Sequence, residues 1–151
     1  MKIMDALKGI SLFEEFDSKE LKILGKIAEE RTYAPGSTIF CEGDKGDSLF
    51  SISYGKVKVL VEMEEVTRLV AGSHFGEIAI IDGLPRSATV EAIERTEVVE
   101  IKHLERLLQT NDRMACKLYK AFAKSLARDL RRSSIDLRFM RELATRQFLV
   151  I

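Results

Sequence analysis

Glycine recurs through the middle of the chain and divides it into short segments. Between residues 31 and 102 it occupies seven positions: 36, 43, 46, 55, 72, 76 and 83. The intervening segments are β-prone, as in the alternation of Val57, Val59 and Val61, or in SATVEAI followed by TEVVEIK. Many short strands with regular turns indicate a sandwich or barrel of the jelly-roll type. Too few helices intervene for a parallel α/β sheet.

Helical patterns flank this β region. Before it, Asp17 and Glu20 have capping-box spacing, and apolar residues then recur at helical spacing at Leu21, Leu24, Ile27 and Ala28. A Pro35-Gly36 turn ends this part. After the β region, HLERLLQT predicts a short helix, and residues 110–112 a break with a new helix start.

The stretch from Arg113 to about Thr145 contains neither Gly nor Pro and predicts one long helix. We therefore expect a single domain over residues 1–151, with a helical lead-in at about 1–30, a β-roll at 31–102 and C-terminal helices at 103–151. Its fold class is mainly β with flanking helices: a double-stranded β-helix, or jelly-roll barrel, with a helical N-terminal segment and a long C-terminal helix.

The long helix carries residues at alternating spacings of three and four: Tyr119, Ala123, Leu126, Leu130, Ser133, Leu137, Met140 and Ala144. This spacing is typical of a helix-packing seam. The seam could pack on the domain's own barrel, which explains its first half equally well. The second half extends too far for so small a barrel to cover, which favours a homodimer formed through the C-terminal helix.

Composition excludes several classes of function. The formal net charge is +0, so nothing drives the whole chain towards nucleic acid or an anionic membrane. Cys41 and Cys116 lie far apart, and His74 and His103 are isolated, so no metal-ligand spacing occurs. The chain has no signal-peptide pattern and no run of about 20 apolar residues that could span a bilayer. We expect a cytoplasmic protein with no metal, no nucleic-acid partner and no membrane segment.

One stretch, HFGEIAIIDGLPRSATV at residues 74–90, places one acid and one base around an aliphatic run. Arg86 is always charged and presents a planar donor fork suited to phosphate or carboxylate. Glu77 could accept hydrogen bonds from the hydroxyls of the same ligand, which suggests a nucleotide or a sugar phosphate. The alternative is a salt bridge between Glu77 and Arg86 across a hairpin, worth at most about 1 kcal/mol when exposed. Spacing alone leaves both interpretations open.

Two motifs resemble those of cyclic nucleotide-binding domains. FGEIAIIDGLPRSATV resembles the family's phosphate-binding cassette. Upstream, EGDKGDSLFSISYGKVKV resembles its turn signature through Gly43, Asp44, Gly46, Asp47, Gly55 and Val57. The resemblance covers about residues 10–140. It implies that these glycines and acids are turn residues rather than ligand contacts.

The resemblance also implies a role for each cassette residue. Gly76 and Glu77 would contact the ribose hydroxyl, and Arg86 would pair with the cyclic phosphate. Ser87 would donate to that phosphate or to the purine. The remaining contacts would come from the amides of Ile78 and Ala79 and from the nearby Ala88.

The purine end is implied by a second part of the resemblance. LARDLRRSSIDL resembles the long helix of the bacterial catabolite activator, in which two hydroxyl residues meet the adenine amino group; Ser133 and Ser134 match them. Members that prefer cGMP commonly have Thr after the cassette Arg, where this chain has Ser87. These features favour cAMP over cGMP as the ligand.

The chain ends at Ile151, where catabolite-activator-like regulators continue into a helix-turn-helix domain. We therefore expect a sensor module without a DNA-binding domain. Ligand occupancy would be transmitted by movement of the C-terminal helix to an unknown effector protein or fused domain. We expect no enzymatic activity, no catalytic residue and no cofactor besides the ligand, because no His/Asp cluster exists and the one nearby acid is assigned to ribose. The alternatives are a cGMP-binding module, or a jelly-roll interaction module with a non-functional pocket.

Overall fold

A computed structural model describes residues 2–149, with side chains to residue 145. Eight strands form two antiparallel four-stranded sheets, in the orders β1-β8-β3-β6 and β2-β7-β4-β5. The strands are β1 Ala28–Tyr33, β2 Thr38–Phe40, β3 Leu49–Tyr54, β4 Lys56–Val61, β5 Glu64–Val70, β6 His74–Phe75, β7 Thr89–Ala92 and β8 Thr96–Ile101. The helices are α1 Lys2–Lys8, a 3-10 turn at Ser11–Phe13, α2 Ser18–Gly25, α3 Glu77–Asp82, α4 Leu104–Thr110 and α5 Asp112–Leu149.

Consecutive strands repeatedly change sheet, which is the mark of a jelly roll. Strand β7 lies between β2 and β4, whereas β8, only a short turn later, lies between β1 and β3. The two strands expected in SATVEAI and TEVVEIK therefore exist, but they belong to opposite sheets. The predicted fold class, mainly β with flanking helices and a long C-terminal helix, is confirmed.

The N-terminal helices follow the predicted pattern with one difference. Asp17 and Glu20 form the capping box: the Asp17 carboxylate accepts from the Glu20 amide at 2.9 Å, and the Glu20 carboxylate from the Asp17 amide at 3.0 Å. Helix α2 ends at Gly25, however, and Ala28 begins β1 instead of continuing the helix. Ala28 pairs with Ile101 of β8, so sheet pairing overrides the helical spacing seen in the sequence.

Strand β8 separates two apolar cores. Val99 and Ile101 pack against the helices, together with residues such as Leu24 and Leu118. Val98 packs inside the roll with Phe50, Phe75 and others. Because alternate residues of a strand point to the same face, Glu100 shares the inner face with Val98. A charged residue thus lies among the apolar side chains of the roll.

Helix α5 begins on the barrel and then leaves it. Met114, Leu118 and Phe122 are buried, and Ser125 is its last buried residue. Every described side chain from 127 to 145 is exposed. The single long helix is as predicted, and packing on its own barrel accounts only for its first half. None of the helices in the described part of the chain is both long and apolar enough to cross a bilayer.

Candidate functional site

Two glycines shape the segment that carries the acid and the base. Gly76 joins β6 to α3 with φ of 94°, a left-handed conformation that favours glycine. A Cβ at this position would lie 2.8 Å from the Ser48 carbonyl oxygen and 3.0 Å from Arg86 Nη1. A Cβ on Gly46 would overlap the Arg86 guanidinium group itself. The backbone therefore has to come this close for Arg86 to be held in place.

A cavity of about 210 Å³ opens between this segment and the inside of the roll. Its walls include most of the residues expected at the site: Gly76, Glu77, Ile78, Ala79, Arg86, Ser87 and Ala88. Apolar residues form another part of the lining: Phe40, Val59, Leu69, Phe75 and Val90. The remaining lining residues are Thr67, His74 and Asp129. A mostly apolar pocket with a few convergent polar groups is the usual form of a small-molecule site.

Ser133 and Ser134 lie outside this cavity. Both are exposed on the part of α5 that has left the barrel, and the Ser134 hydroxyl donates to the Leu130 carbonyl at 3.0 Å. The residue of α5 that does line the cavity is Asp129, one turn before Ser133. The structure thus brings together the expected ribose and phosphate residues but not the two serines expected at the purine.

Arg86 is 5% exposed and held by backbone carbonyls rather than by an acid. Its Nη1 donates to the Gly76 carbonyl at 2.7 Å and its Nη2 to the Ser48 carbonyl at 2.9 Å. Its Cζ lies 4.2 Å from the centroid of the Phe40 ring, a cation–π contact. Burial lowers the pKa of Arg86, but a guanidinium stays charged in proteins. The site therefore holds a fixed positive charge to which no acid of the described residues is directly bonded.

Glu77 is the opposite case, an acid whose charge is poorly compensated. Its Oε2 is buried and has no hydrogen-bond partner among the described residues. Burial raises the pKa of Glu77, and the negative charge of Asp129 adds to the rise, while His74 and Arg86 act in the other direction. Glu77 and Arg86 form no ion pair, so the hairpin salt bridge considered as an alternative is absent between these two described residues.

Three polar residues that line the cavity, Thr67, His74 and Asp129, were not foreseen from the sequence. His74 Nε2 lies 3.3 Å from Ser125 Oγ, a hydrogen bond that joins β6 to α5. Asp129 is four residues after Ser125, so it presents to the same side of the helix and reaches the cavity. The sequence signal was present in RDLRRSS, where the acid precedes the serines by one turn. It could not be recognised without knowing where α5 leaves the barrel.

Together these groups can bind one ligand that carries both an anion and a hydroxyl group. Arg86 provides a preset cationic fork, because a guanidinium has five N–H donors and two hydrogen bonds already fix its plane. Glu77 provides a buried acceptor without a donor. No group of three or more His, Cys, Asp or Glu in the described part of the chain is arranged to hold a metal ion.

Comparison with known proteins gives the family. The family model of the cyclic nucleotide-binding domain matches residues 30–111, more than half of the chain. The cGMP-dependent protein kinase of Eimeria tenella is 35% identical over 95 residues, which are 63% of this chain and 10% of the kinase. The chain therefore spans about a tenth of the length of that curated relative.

Solved structures agree in fold. A cyclic nucleotide-binding domain from Methylobacillus flagellatus is 26% identical with a TM-score of 0.72, covering 87% of this chain and 78% of that one. The catabolite activator protein of Thermus thermophilus is 28% identical with a TM-score of 0.68, covering 85% and 62%. The regulatory domain of Toxoplasma gondii protein kinase A, solved with cAMP, shares the fold at 20% identity, with a TM-score of 0.70 and coverage of 83% and 49%.

The chain belongs to the cyclic nucleotide-binding domain family. The expected resemblance to catabolite-activator and protein kinase A regulatory domains is confirmed. A domain of this family binds a cyclic nucleotide and acts as a regulatory sensor rather than as a catalyst.

Proposed function

We propose that this domain is a sensor of cAMP. The observation that carries the proposal is that one cavity contains both a buried Arg86 held by backbone carbonyls and a buried Glu77 oxygen that lacks a hydrogen-bond donor. A cyclic nucleotide meets both requirements, because its phosphate is an anion and its ribose keeps a free 2′-hydroxyl group. Neither an inorganic anion nor a plain nucleoside would satisfy both residues.

The proposed contacts follow from the hydrogen-bonding groups of the site that no described residue of the protein already uses. Arg86 uses one N–H of each terminal nitrogen on carbonyls, so its other N–H groups remain for the cyclic phosphate. Glu77 accepts from the ribose hydroxyl group, and Gly76 permits the close approach. Ser87 and the amides of Ile78 and Ala79, with Ala88 beside them, complete the phosphate side. In this arrangement every buried polar group of the site gains a partner.

The purine is proposed to be covered by α5. Ser133 and Ser134 lie beyond the cavity, so they can meet an adenine amino group only after α5 moves towards the roll, or if they come from a second copy of the chain. Ser87 occupies the position at which members of the family that prefer cGMP commonly have Thr, which favours adenine over guanine. The movement of α5 is the proposed output, passed to an effector protein or a fused domain.

A second candidate ligand is cGMP, and Asp129 is the observation that favours it. Asp129 lines the cavity from the side of α5. Its two oxygens match the N1–H and amino donors of guanine, whereas adenine presents an acceptor at N1 that a carboxylate repels. The Eimeria relative is a cGMP-dependent kinase, which agrees with this alternative.

We also propose that the chain forms a homodimer through α5. Along the predicted seam Leu130 is 68% exposed, Leu137 71% and Met140 63%. Apolar residues at this spacing on a helix that has left its own barrel are typical of a two-helix seam. In this dimer the exposed distal part of α5 would pack against the same helix of a second copy of the chain.

The decisive experiment is a calorimetric titration of ligand-free protein with cAMP and with cGMP. We expect micromolar binding with cAMP the tighter, and Arg86→Ala to weaken it by about 100-fold or more, since a charged hydrogen-bond partner is lost. The matched control is Arg95→Ala, because Arg95 is an exposed arginine paired with Glu97. Binding of cGMP alone would support the second candidate. Binding of neither nucleotide would overturn the sensor proposal in favour of an interaction module with a non-functional pocket.

A further inference from the structure

One buried acid lies outside the cavity lining and is used by none of the contacts proposed above. Glu100, on the inner face of β8, is 7% exposed. Its Oε1 accepts from Arg31 Nη1 of β1 at 2.9 Å, and its Oε2 accepts from the Ser48 hydroxyl at 2.7 Å. Both carboxylate oxygens are therefore in use, which is the condition for keeping a charge inside a roll.

Ser48 connects this acid to the cavity. The residue immediately precedes β3, and its backbone carbonyl is the group that accepts from Arg86 Nη2 at 2.9 Å. Its hydroxyl group is held by Glu100 at the same time. A continuous chain of hydrogen bonds thus runs Arg31–Glu100–Ser48–Arg86 and crosses from the outer strand of one sheet to the proposed phosphate site.

The electrostatic arrangement agrees with this path. Among the charged groups that raise the pKa of Arg86 against the effect of burial, Glu100 has the largest influence. It acts without touching the guanidinium group. A carboxylate bonded directly to Arg86 would occupy N–H groups that a bound anion needs. Glu100 is separated from the guanidinium group by Ser48, so it compensates the positive charge and leaves these N–H groups free.

We infer that Glu100 is a positioning residue for Arg86. It holds the Ser48 hydroxyl group, so that the Ser48 carbonyl orients the guanidinium plane. It also supplies a buried negative charge that stabilises the Arg86 cation in the ligand-free cavity. The effect of Glu100 on ligand affinity rests on the proposed function, but the effect of Glu100 on Arg86 does not. Preset donors of this kind bind an anion with little further ordering cost.

The competing explanation is that Glu100 only ties β1 to β8 through Arg31. The Arg31 side chain is 45% exposed and would be hydrated if Glu100 lost its charge. A purely structural pair would then affect stability alone and leave Arg86 unchanged. The two explanations therefore differ in what happens at the guanidinium group.

The test measures that group in the ligand-free protein. The Arg86 Nη2–H signal, assigned by its loss in Arg86→Lys, reports hydrogen exchange by NMR, and Nη2 is the nitrogen that donates to the Ser48 carbonyl. We expect Glu100→Gln and Ser48→Ala each to accelerate its exchange by about tenfold, and the double variant to go no further, because the two residues act in series. Glu97→Gln, the same change at an exposed ion pair on the same strand, is the matched control and should leave the signal as in wild type. Unchanged exchange in both single variants, or additive effects in the double variant, would overturn the inference.

A second measurement separates this inference from the proposed function. If wild type binds cAMP, Glu100→Gln and Ser48→Ala should weaken binding by about tenfold, again without additivity. If wild type binds no cyclic nucleotide, the proposed function fails, and the exchange measurement still decides the role of Glu100. Altered exchange with unaltered nucleotide affinity would contradict the part of the inference that concerns binding.

Discussion

Replacing Glu77 by Gln should make the ligand-free domain more stable and the ligand-bound domain less so. Wild type holds a half-buried Glu77 carboxylate whose buried Oε2 no described residue satisfies. Gln has nearly the same shape but no charge, so it removes the desolvation cost that raises the pKa of Glu77 and the repulsion by Asp129. It also removes the charged acceptor that the ribose hydroxyl group would use. One change therefore affects folding and binding in opposite directions.

The magnitude follows from how incomplete the compensation is. An unsatisfied buried polar group costs about 1–3 kcal/mol, and more when it is charged. Here the Glu77 backbone amide, His74 and Arg86 offset part of that cost, so we expect a gain of about 1 kcal/mol in the free energy of unfolding at pH 7. For cAMP binding we expect a loss of about 10- to 100-fold, since a hydrogen bond to a charged group contributes roughly 1.5–3 kcal/mol.

The pH dependence identifies the cause of the gain. The pKa of Glu77 is raised in the folded state, so its proton contributes stability below the unfolded pKa of about 4.3, and that contribution is lost as pH rises through the folded value. Above the folded value wild type carries the cost of a buried charge, whereas Gln does not titrate. The advantage of Glu77→Gln should therefore be largest at pH 7 and shrink steadily towards pH 4.

The assay is chemical unfolding of both proteins at several pH values, together with calorimetric titration of cAMP. Glu94→Gln is the matched control, because Glu94 is an exposed acid on the turn between β7 and β8. Its stability should follow wild type at each pH. A Glu77→Gln variant that is less stable than wild type at pH 7, or whose advantage stays constant down to pH 4, would refute this account of the site.

Three further predictions concern specificity and assembly. Ser87→Thr should raise the affinity for cGMP relative to cAMP by about fivefold, measured by titration of both, because members of the family that prefer cGMP commonly have Thr at this position. An unchanged ratio would show that Ser87 does not contact the purine. Asp129→Asn should weaken the binding of cGMP by about tenfold, while the affinity for cAMP should change by no more than about twofold. Equal losses of affinity would mean that Asp129 does not distinguish the two bases. Leu137→Glu should convert the dimer into a monomer, measured by light scattering. Ile135→Glu should not, because Ile135 is nearly as exposed (68% against 71%) but lies off the seam. A monomeric wild type would contradict the dimer proposal.

The parts of the site that lie close together in the chain were predictable from the sequence. Gly76, Glu77 and Arg86 occur within one short segment, and each needs a specific residue type for a local reason: a left-handed backbone, a buried acceptor and a planar cation. The capping box at Asp17 and Glu20 is local in the same way. Such features depend on a few neighbouring residues, so their pattern survives in the sequence.

The remainder depends on long-range pairing that no local pattern contains. Glu100 belongs to a strand whose alternation was recognisable, but its partners are 69 and 52 residues away, at Arg31 and Ser48. The end of α2 is set by the pairing of Ala28 with Ile101, against the helical spacing of the apolar residues. Ser133 and Ser134 were expected at the purine from the resemblance of their helix to that of the catabolite activator. They lie outside the cavity because the size of the barrel sets the point where α5 leaves it.

Because α5 leaves the barrel after Ser125, a small tilt of this helix at the cavity would produce a much larger displacement at its far end. The helix runs as one piece from Asp112 to Leu149, and at 1.5 Å per residue the part after Asp129 is about 30 Å long. A tilt of about 10° at the cavity would therefore displace the far end by about 5 Å, the length of one helical turn. A side-chain adjustment around a small molecule would become a displacement large enough for a second protein to detect.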